Sequence, residues 1–227
     1  MIDLAPKIER GIPRFPSHPH LVVDPTVTHE RNGYYCQSLA MEEHTGCHCD
    51  APTHIHANMM DATIDRMPLD CLIGPAVVYD FSSLNLGPGD LIDAQHIENY
   101  ERESGIKVGG GEIAMVNFGW LKKHWRTDGQ AQWYANNSPG MTETVTVQFK
   151  ERDVKAVGAD TIGCEIALVE GVPVDAPGHA RHWLPNNILI MECVANLEQV
   201  GHRCFFAALP LPIDQGSGSP LRPVAFA

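Results

Sequence analysis

An α/β or α+β fold is what this sequence predicts, and three observations carry that expectation. Short apolar, β-branched runs recur along the chain, a stretch with helical spacing lies between two of them, and no internal repeat or long Pro/Gly/Ser linker divides the 227 residues. The run GPAVVYDFS, starting at Gly74 and Pro75, reads as a buried strand, as do EIAMVNFGW and ILIMECV, with DVKAVGADTIG a weaker example. Between the first two lies LIDAQHIENYERESG, where Ile92, Ile97 and Tyr100 recur at helical spacing before a Gly stop. The polar stretch KKHWRTDGQAQWYANNSPG reads as a long surface loop. The lead-in GIPRFPSHPHLVVDP holds too much Pro for a helix and is expected to be irregular or an edge strand, a loop able to fold over a site. The Gly/Ser-rich tail GSGSPLRPVAFA either closes over the protein's own site or packs on a second subunit.

Composition narrows the function classes. With 44% hydrophobic residues the chain can fill one core, so residues 1–227 are expected to form a single domain. A net charge of -12, from 16 Lys plus Arg against 28 Asp plus Glu, disfavours nucleic acid and anionic membranes as partners and leaves a small molecule as the expected one. No signal-peptide run and no stretch of ~20 apolar residues is present, so a cytoplasmic location is the expectation. Seven cysteines, odd in number and without a CxxC pair, indicate neither a disulfide framework nor a thiolate zinc finger.

Histidine is the unusual residue: there are twelve, four of them between His44 and His56. In MEEHTGCHCDAPTHIH, residues His44, His48, Asp50, His54 and His56 all occupy even positions. Residues two apart share a face of an extended chain, so His48 and Asp50 point the same way, His44 can join them, and Cys47 and Cys49 point away. Pro52 interrupts any strand, and Gly46 permits a bend and leaves room beside an ion. Imidazole and carboxylate are good ligands for Zn or Mn, and three protein ligands with an open position suit a catalytic ion better than a structural one.

The stretch HTGCHCDAPTH resembles the HxGTHxDAPxH signature of the cyclase family of metal-dependent amide hydrolases, which includes kynurenine formamidases and isatin hydrolases. The resemblance extends over FPSHP, VNFGW, VGADTIG, IMECVANLEQV and ALPLPIDQGSGSPLRPVA, most of the chain. It implies a swivelling β/β/α fold, assembly as a homodimer or homotetramer, and a metal-dependent hydrolase that opens a C–N bond of a small, flat amide, formamide or lactam. It further implies that His44, His48 and Asp50 bind the metal, that His54 is the general acid/base and that Phe15 lies in the substrate-binding loop, where the alternative for an aromatic is a core anchor. In two-metal members Asp50 and Glu192 bridge to a second Zn or Mn held by a histidine about a dozen residues before that glutamate; His179 and His182, thirteen and ten residues before it, both qualify. One or two ions per chain are thus expected. Cys47 replaces the family's Thr, and Glu165 stands where Asp is usual, read either as a solvated or salt-bridged carboxylate or as a functional one.

Three other readings remain. Lactones and cyclic imides are open to the same machinery. His48-x-Asp50 with one distant His matches the facial triad of a non-haem iron oxygenase, which leaves His44 and His54 unused and predicts a jelly-roll barrel that the helical segment 91–104 fits poorly. A non-catalytic metal-binding scaffold is the third, and the presence of His54 beside the cluster weighs against it.

Overall fold

Strands form where apolar and β-branched residues are buried on both faces, the pattern of a parallel sheet covered on each side. In the computed structural model, which describes all 227 residues, the four apolar runs are the strands Ile73–Asp80, Ile113–Asn117, Ala156–Ala159 and Leu189–Glu192, each paired in parallel with the next. Parallel neighbours need crossovers. The helix Ala94–Ser104 serves the first; Asp93 and His96 form a reciprocal capping box at its start and Gly105, at φ 72°, ends it. Helix Glu143–Glu151 lies on the second. Parallel central strands with helical crossovers are incompatible with the jelly-roll that the oxygenase reading required.

The segment expected to be a surface loop holds the end of the helix Trp120–His124, whose Trp120 was read as the end of a strand that stops at Asn117, and the whole of a second helix, Ala131–Asn136. Polar composition concealed them; tertiary packing holds them, through buried Trp120, Tyr134 and Ala135. The Trp120 indole donates to the Asn137 carbonyl at 2.8 Å, and Asp160 accepts the backbone N–H groups of Phe118 and Leu121 where the first of these helices begins. The Pro-rich lead-in is irregular until Val22–Val27, which pairs with Cys36–Ala40 in a separate hairpin, with a register shift around Pro25. All seven cysteines are free, five of them buried. No helix is long and apolar enough to cross a membrane.

Nine strands make the main sheet, in the order Ile2–Asp3, Val224–Phe226, Arg203–Ala207, Ile73–Asp80, Ile113–Asn117, Ala156–Ala159, Leu189–Glu192, His48–Asp50, Gly218–Pro220. Residues 218–220 and 224–226 therefore lie near opposite ends of the sheet although only residues 221–223 separate them. In a flat sheet the gap would be about 34 Å, and the connecting chain reaches at most about 15 Å. The sheet must curl, and its core shows that it does: Leu4, Phe206 and Ala225 from one end share a single cluster with Cys49 and Leu221 from the other. On the opposite face the helices bury Tyr79, Tyr134, Phe149 and Trp183. Alternation divides each strand between the two cores, Val77 and Tyr79 facing the helices, Ala76 and Val78 the interior of the curl. This mixed α/β architecture is the swivelling β/β/α fold that the resemblance implies.

The tail is thus part of the protein's own sheet, and Leu221 is its buried anchor, 6% exposed, with its N–H on the Cys47 carbonyl. Leu221→Ala is expected to lower the unfolding free energy by about 2–4 kcal/mol in urea titrations. A change within about 0.5 kcal/mol, the usual effect at an unconstrained surface position, would show that the tail closes nothing.

Candidate metal centre

Antiparallel register sets Glu192 directly across from His48 and Ile190 across from Asp50. Cross-strand partners share a face, and so do residues two apart, so His48, Asp50 and Glu192 converge on the helical side of the sheet. Cys47 and Cys49 point the other way into the core of the curl, as their odd positions predicted. His44 arrives differently. The chain between His44 and His48 is a turn, with Gly46 in the left-handed region at φ 68°, and it brings His44 Nδ1 to 2.7 Å from Asp50 Oδ1. A Cβ on Gly46 would meet Ile8 at 3.5 Å, not the cluster. The glycine serves its backbone angle rather than room beside an ion.

His179 comes from a π-helical turn, Gly178–His182. Its Nε2 faces Asp50 Oδ2 at 3.2 Å and Glu192 Oε1 at 3.5 Å. The two histidines that spacing could not separate are separated here: the wide turn carries His182 outward, where its Nε2 meets Glu143 at 2.8 Å, and it is not brought into the cluster. Glu165, one of whose readings was a solvated carboxylate, is fully buried against His179.

Two three-residue groups result, His44, His48 and Asp50, and Asp50, His179 and Glu192, each with its candidate donor atoms within 4.8 Å of one another. Each histidine has one ring nitrogen tied down. His48 Nδ1 donates to the Gly46 carbonyl at 2.9 Å, His179 Nδ1 meets Glu165 at 2.8 Å, and His44 Nε2 meets Ser217 Oγ at 2.8 Å. Ser217 in turn donates to Glu43 at 2.6 Å. Such outer bonds orient imidazoles toward a common centre. Ser217 and Glu43 escaped the sequence reading, and His56, grouped there by parity but given no role, sets its Nε2 2.9 Å from the His179 carbonyl; nothing local marks a contact across 123 or 174 residues.

Electrostatics show what the cluster demands. Burial opposes charge on His48, yet its bond to Glu192 and the field of Asp50 prevail and lift its pKa to about 9. Burial likewise works against the Asp50 carboxylate, and bonds from His179 and His44 hold it well below the usual range. His179 is raised well above an ordinary imidazole despite its burial, chiefly by Glu165 and Asp50. Buried carboxylates demand positive charge here, which a cation or protons on the histidines can supply. Three imidazoles and two carboxylates, all nitrogen and oxygen donors, fit a divalent metal ion.

Above the cluster lies a cavity of about 280 Å³. His44, His48, Asp50, His179 and Glu192 supply its polar wall, and Phe15, Ile55, Ile162 and Ile166 its apolar one. Phe15 also packs against the helical core, so both readings of that residue meet in one side chain. The Pro-rich lead-in does fold over the site: His18 lines the cavity, its ring centroid 5.6 Å from Phe15 and 5.9 Å from His44. His54, at the end of the short turn Pro52–His54, lies 4.1 Å from His44 between ring centroids. Burial pulls its pKa down to about 4, and its side chain has no hydrogen-bond partner, so it faces the cavity as a free base.

Residues 2–166 match the family model described as putative cyclase. The chain is 28% identical to isatin hydrolase of Roseibium aggregatum over 197 residues, 82% of this chain and 73% of that protein. It is 25% identical to kynurenine formamidase of Bacillus thuringiensis over 228 residues, covering 98% of this chain and 95% of the relative. Isatin hydrolase A from Labrenzia aggregata, solved bound to benzyl benzoate, has a similar structure, with a TM-score of 0.85 at 25% identity over 99% of this chain and 92% of that one. With most of its length matched by one family model, and a structure shared with isatin hydrolase A, the chain belongs to the cyclase family.

Proposed function

We propose that this enzyme opens the C–N bond of a small, flat, uncharged cyclic amide or imide, with Zn or Mn held by His44, His48 and Asp50 and a second ion accommodated by Asp50, His179 and Glu192. The observation that carries this reading is the buried cluster beneath a small apolar cavity, beside an imidazole kept in its basic form. The resemblance adds a homodimer or homotetramer in the cytoplasm, the assembly that sedimentation is expected to find.

The cavity's size and charge favour this substrate class. At about 280 Å³ it falls at the lower end of ligand pockets and admits a one- or two-ring molecule rather than a peptide. No Lys or Arg lines it. N-formylkynurenine would bring the ammonium and carboxylate of a free amino acid, and its carboxylate would find no Lys or Arg in the cavity wall to receive it beside Asp50 and Glu192. A neutral lactam carries no such charge, and a lactone of the same shape meets the same groups.

A bound divalent ion supplies Lewis acidity and a water acidic enough to act as hydroxide near neutral pH. Phe15 stacks on the flat ring and, with Ile162 and Ile166, excludes bulk water. His54 takes a proton from the attacking water and returns it to the leaving nitrogen, which departs poorly unless protonated. Asp50, His44 and Ser217 also line up at 2.7 and 2.8 Å like a carboxylate, base and nucleophile. Ser217, however, gives its hydroxyl proton to Glu43 and does not line the cavity, so the serine-nucleophile reading has no place to put a substrate.

Elemental analysis is expected to find one or two Zn or Mn per wild-type chain and a loss of metal and turnover together in His48→Ala. A metal-free wild type that no added ion activates would refute the proposal. His54→Ala should keep its metal and lose about 10²–10⁴-fold in kcat. Because burial places the folded pKa of His54 near 4, below the ordinary 6.5, its contribution to stability is complete above pH 6.5 and declines as pH falls toward 4. NMR titration of its ring should show a midpoint near 4, and a midpoint near 6.5 would contradict the desolvated base. Between substrates, kcat/KM for isatin should exceed that for N-formylkynurenine at least about tenfold, one unpaired charge's worth of discrimination; the reverse order would reject the uncharged-substrate assignment.

A further inference from the structure

Two buried carboxylates take no part in the reaction as described: Asp160 is occupied by the backbone N–H groups of Phe118 and Leu121, whereas Glu165 faces the cluster. It follows the strand Ala156–Ala159 in the segment whose Ile162 and Ile166 line the cavity, and it is 0% exposed. Its Oε1 receives two contacts from one residue, the backbone N–H of His179 at 2.9 Å and the ring Nδ1 at 2.8 Å. A backbone N–H can only donate, so Oε1 is an acceptor and Nδ1 carries the hydrogen. Nε2 is thereby left to face Asp50 and Glu192 at 3.2 and 3.5 Å. The other oxygen, Oε2, is buried with no hydrogen-bond partner in the protein.

Close approach is built around this side chain. A Cβ on Gly178 would lie 2.8 Å from both Cδ and Oε1 of Glu165, and one on Gly140 would lie 2.2 Å from its backbone oxygen. Holding His179 in one orientation requires only a neutral acceptor. A carboxylate with an orphaned oxygen is costly to bury, which packing alone does not require. What the charge adds is donor strength, since a carboxylate behind an imidazole makes the opposite nitrogen a better ligand.

We propose that Glu165 is a positioning residue that acts through His179, fixing its Nδ1–H tautomer and strengthening Nε2 as a donor to the cation shared with Asp50 and Glu192. The inference rests on the metal-hydrolase reading above. Glu165→Gln keeps the size and the Oε1 acceptor, removes the charge and puts an NH2 group where Oε2 stands, so it tests donor strength with the acceptor in place; Glu165→Ala removes the acceptor as well.

The measurement is titration with Zn²⁺ or Mn²⁺ against a chromogenic chelator, in wild type, Glu165→Gln, His179→Ala and the double variant. Glu165→Gln is expected to weaken by about 10–100-fold the binding step that His179→Ala also weakens. It should change nothing further in the His179→Ala background. An unchanged affinity in Glu165→Gln, or the same factor appearing on top of His179→Ala, would overturn the proposal and leave Glu165 a packing residue. A wild type that binds neither metal would instead defeat the hydrolase reading. The positioning claim is then decided in the metal-free protein by the ¹⁵N imidazole spectrum: the protected Nδ1–H of His179 should be present in wild type and Glu165→Gln and lost in Glu165→Ala, and its absence from wild type would refute it.

Discussion

Everything at the centre depends on the antiparallel pairing of His48–Asp50 with Leu189–Glu192. Three acidic and basic side chains that would each be costly to bury alone are placed on one face by this register, close enough to neutralise one another or to share a cation. A slip of one residue would turn His48 and Asp50 into the core of the curl and expose Cys47 and Cys49 to the cavity. The register is guarded from both sides, since Leu189–Glu192 is itself held by the parallel strand Ala156–Ala159 and His48–Asp50 by Gly218–Pro220. The centre is therefore a property of the sheet more than of any loop, and rigid backbone is what a preorganised metal site needs.

What the loops contribute is the cavity's rim and the direction of its imidazoles. The Pro-rich lead-in supplies Phe15 and His18 to the rim, and its restricted backbone lets it cover the cavity at a low entropic cost. The π-turn at 178–182 does the opposite kind of work: it widens the helix so that His179 alone faces inward while His182 is occupied by Glu143. π-Turns commonly mark functional positions, and here the reason is visible in the direction each imidazole takes.

How much of this was legible in the sequence follows from the range of each interaction. The four central strands were readable because burial on both faces writes itself as a continuous apolar run, and the parity of His48 and Asp50 was readable because a strand has a period of two. His44 was grouped with them correctly but for an incomplete reason, since a turn at Gly46, not an extended chain, delivers it. The helices at 120–124 and 131–136 were hidden because their stability comes from Trp120 and Tyr134 packing on distant elements, while their own composition is polar. Spacing could not choose between His179 and His182, because the choice depends on a π-turn. Nor did anything near Glu165 announce a partner fourteen residues away.

The stitched sheet also has a consequence for synthesis. His44 touches Ser217 across a separation of 173 residues, and the ligand-bearing strand gains its second neighbour only from residues 218–220. At about 5–20 residues per second a ribosome needs roughly ten to thirty seconds to make that intervening stretch. During that interval the nascent His44, His48 and Asp50 lack the strands and outer bonds that set their geometry, so in the proposed metal centre the emerging chain holds no preformed site with which to discriminate among ions. On that reading, selection of the ion waits until the polypeptide has folded back on itself.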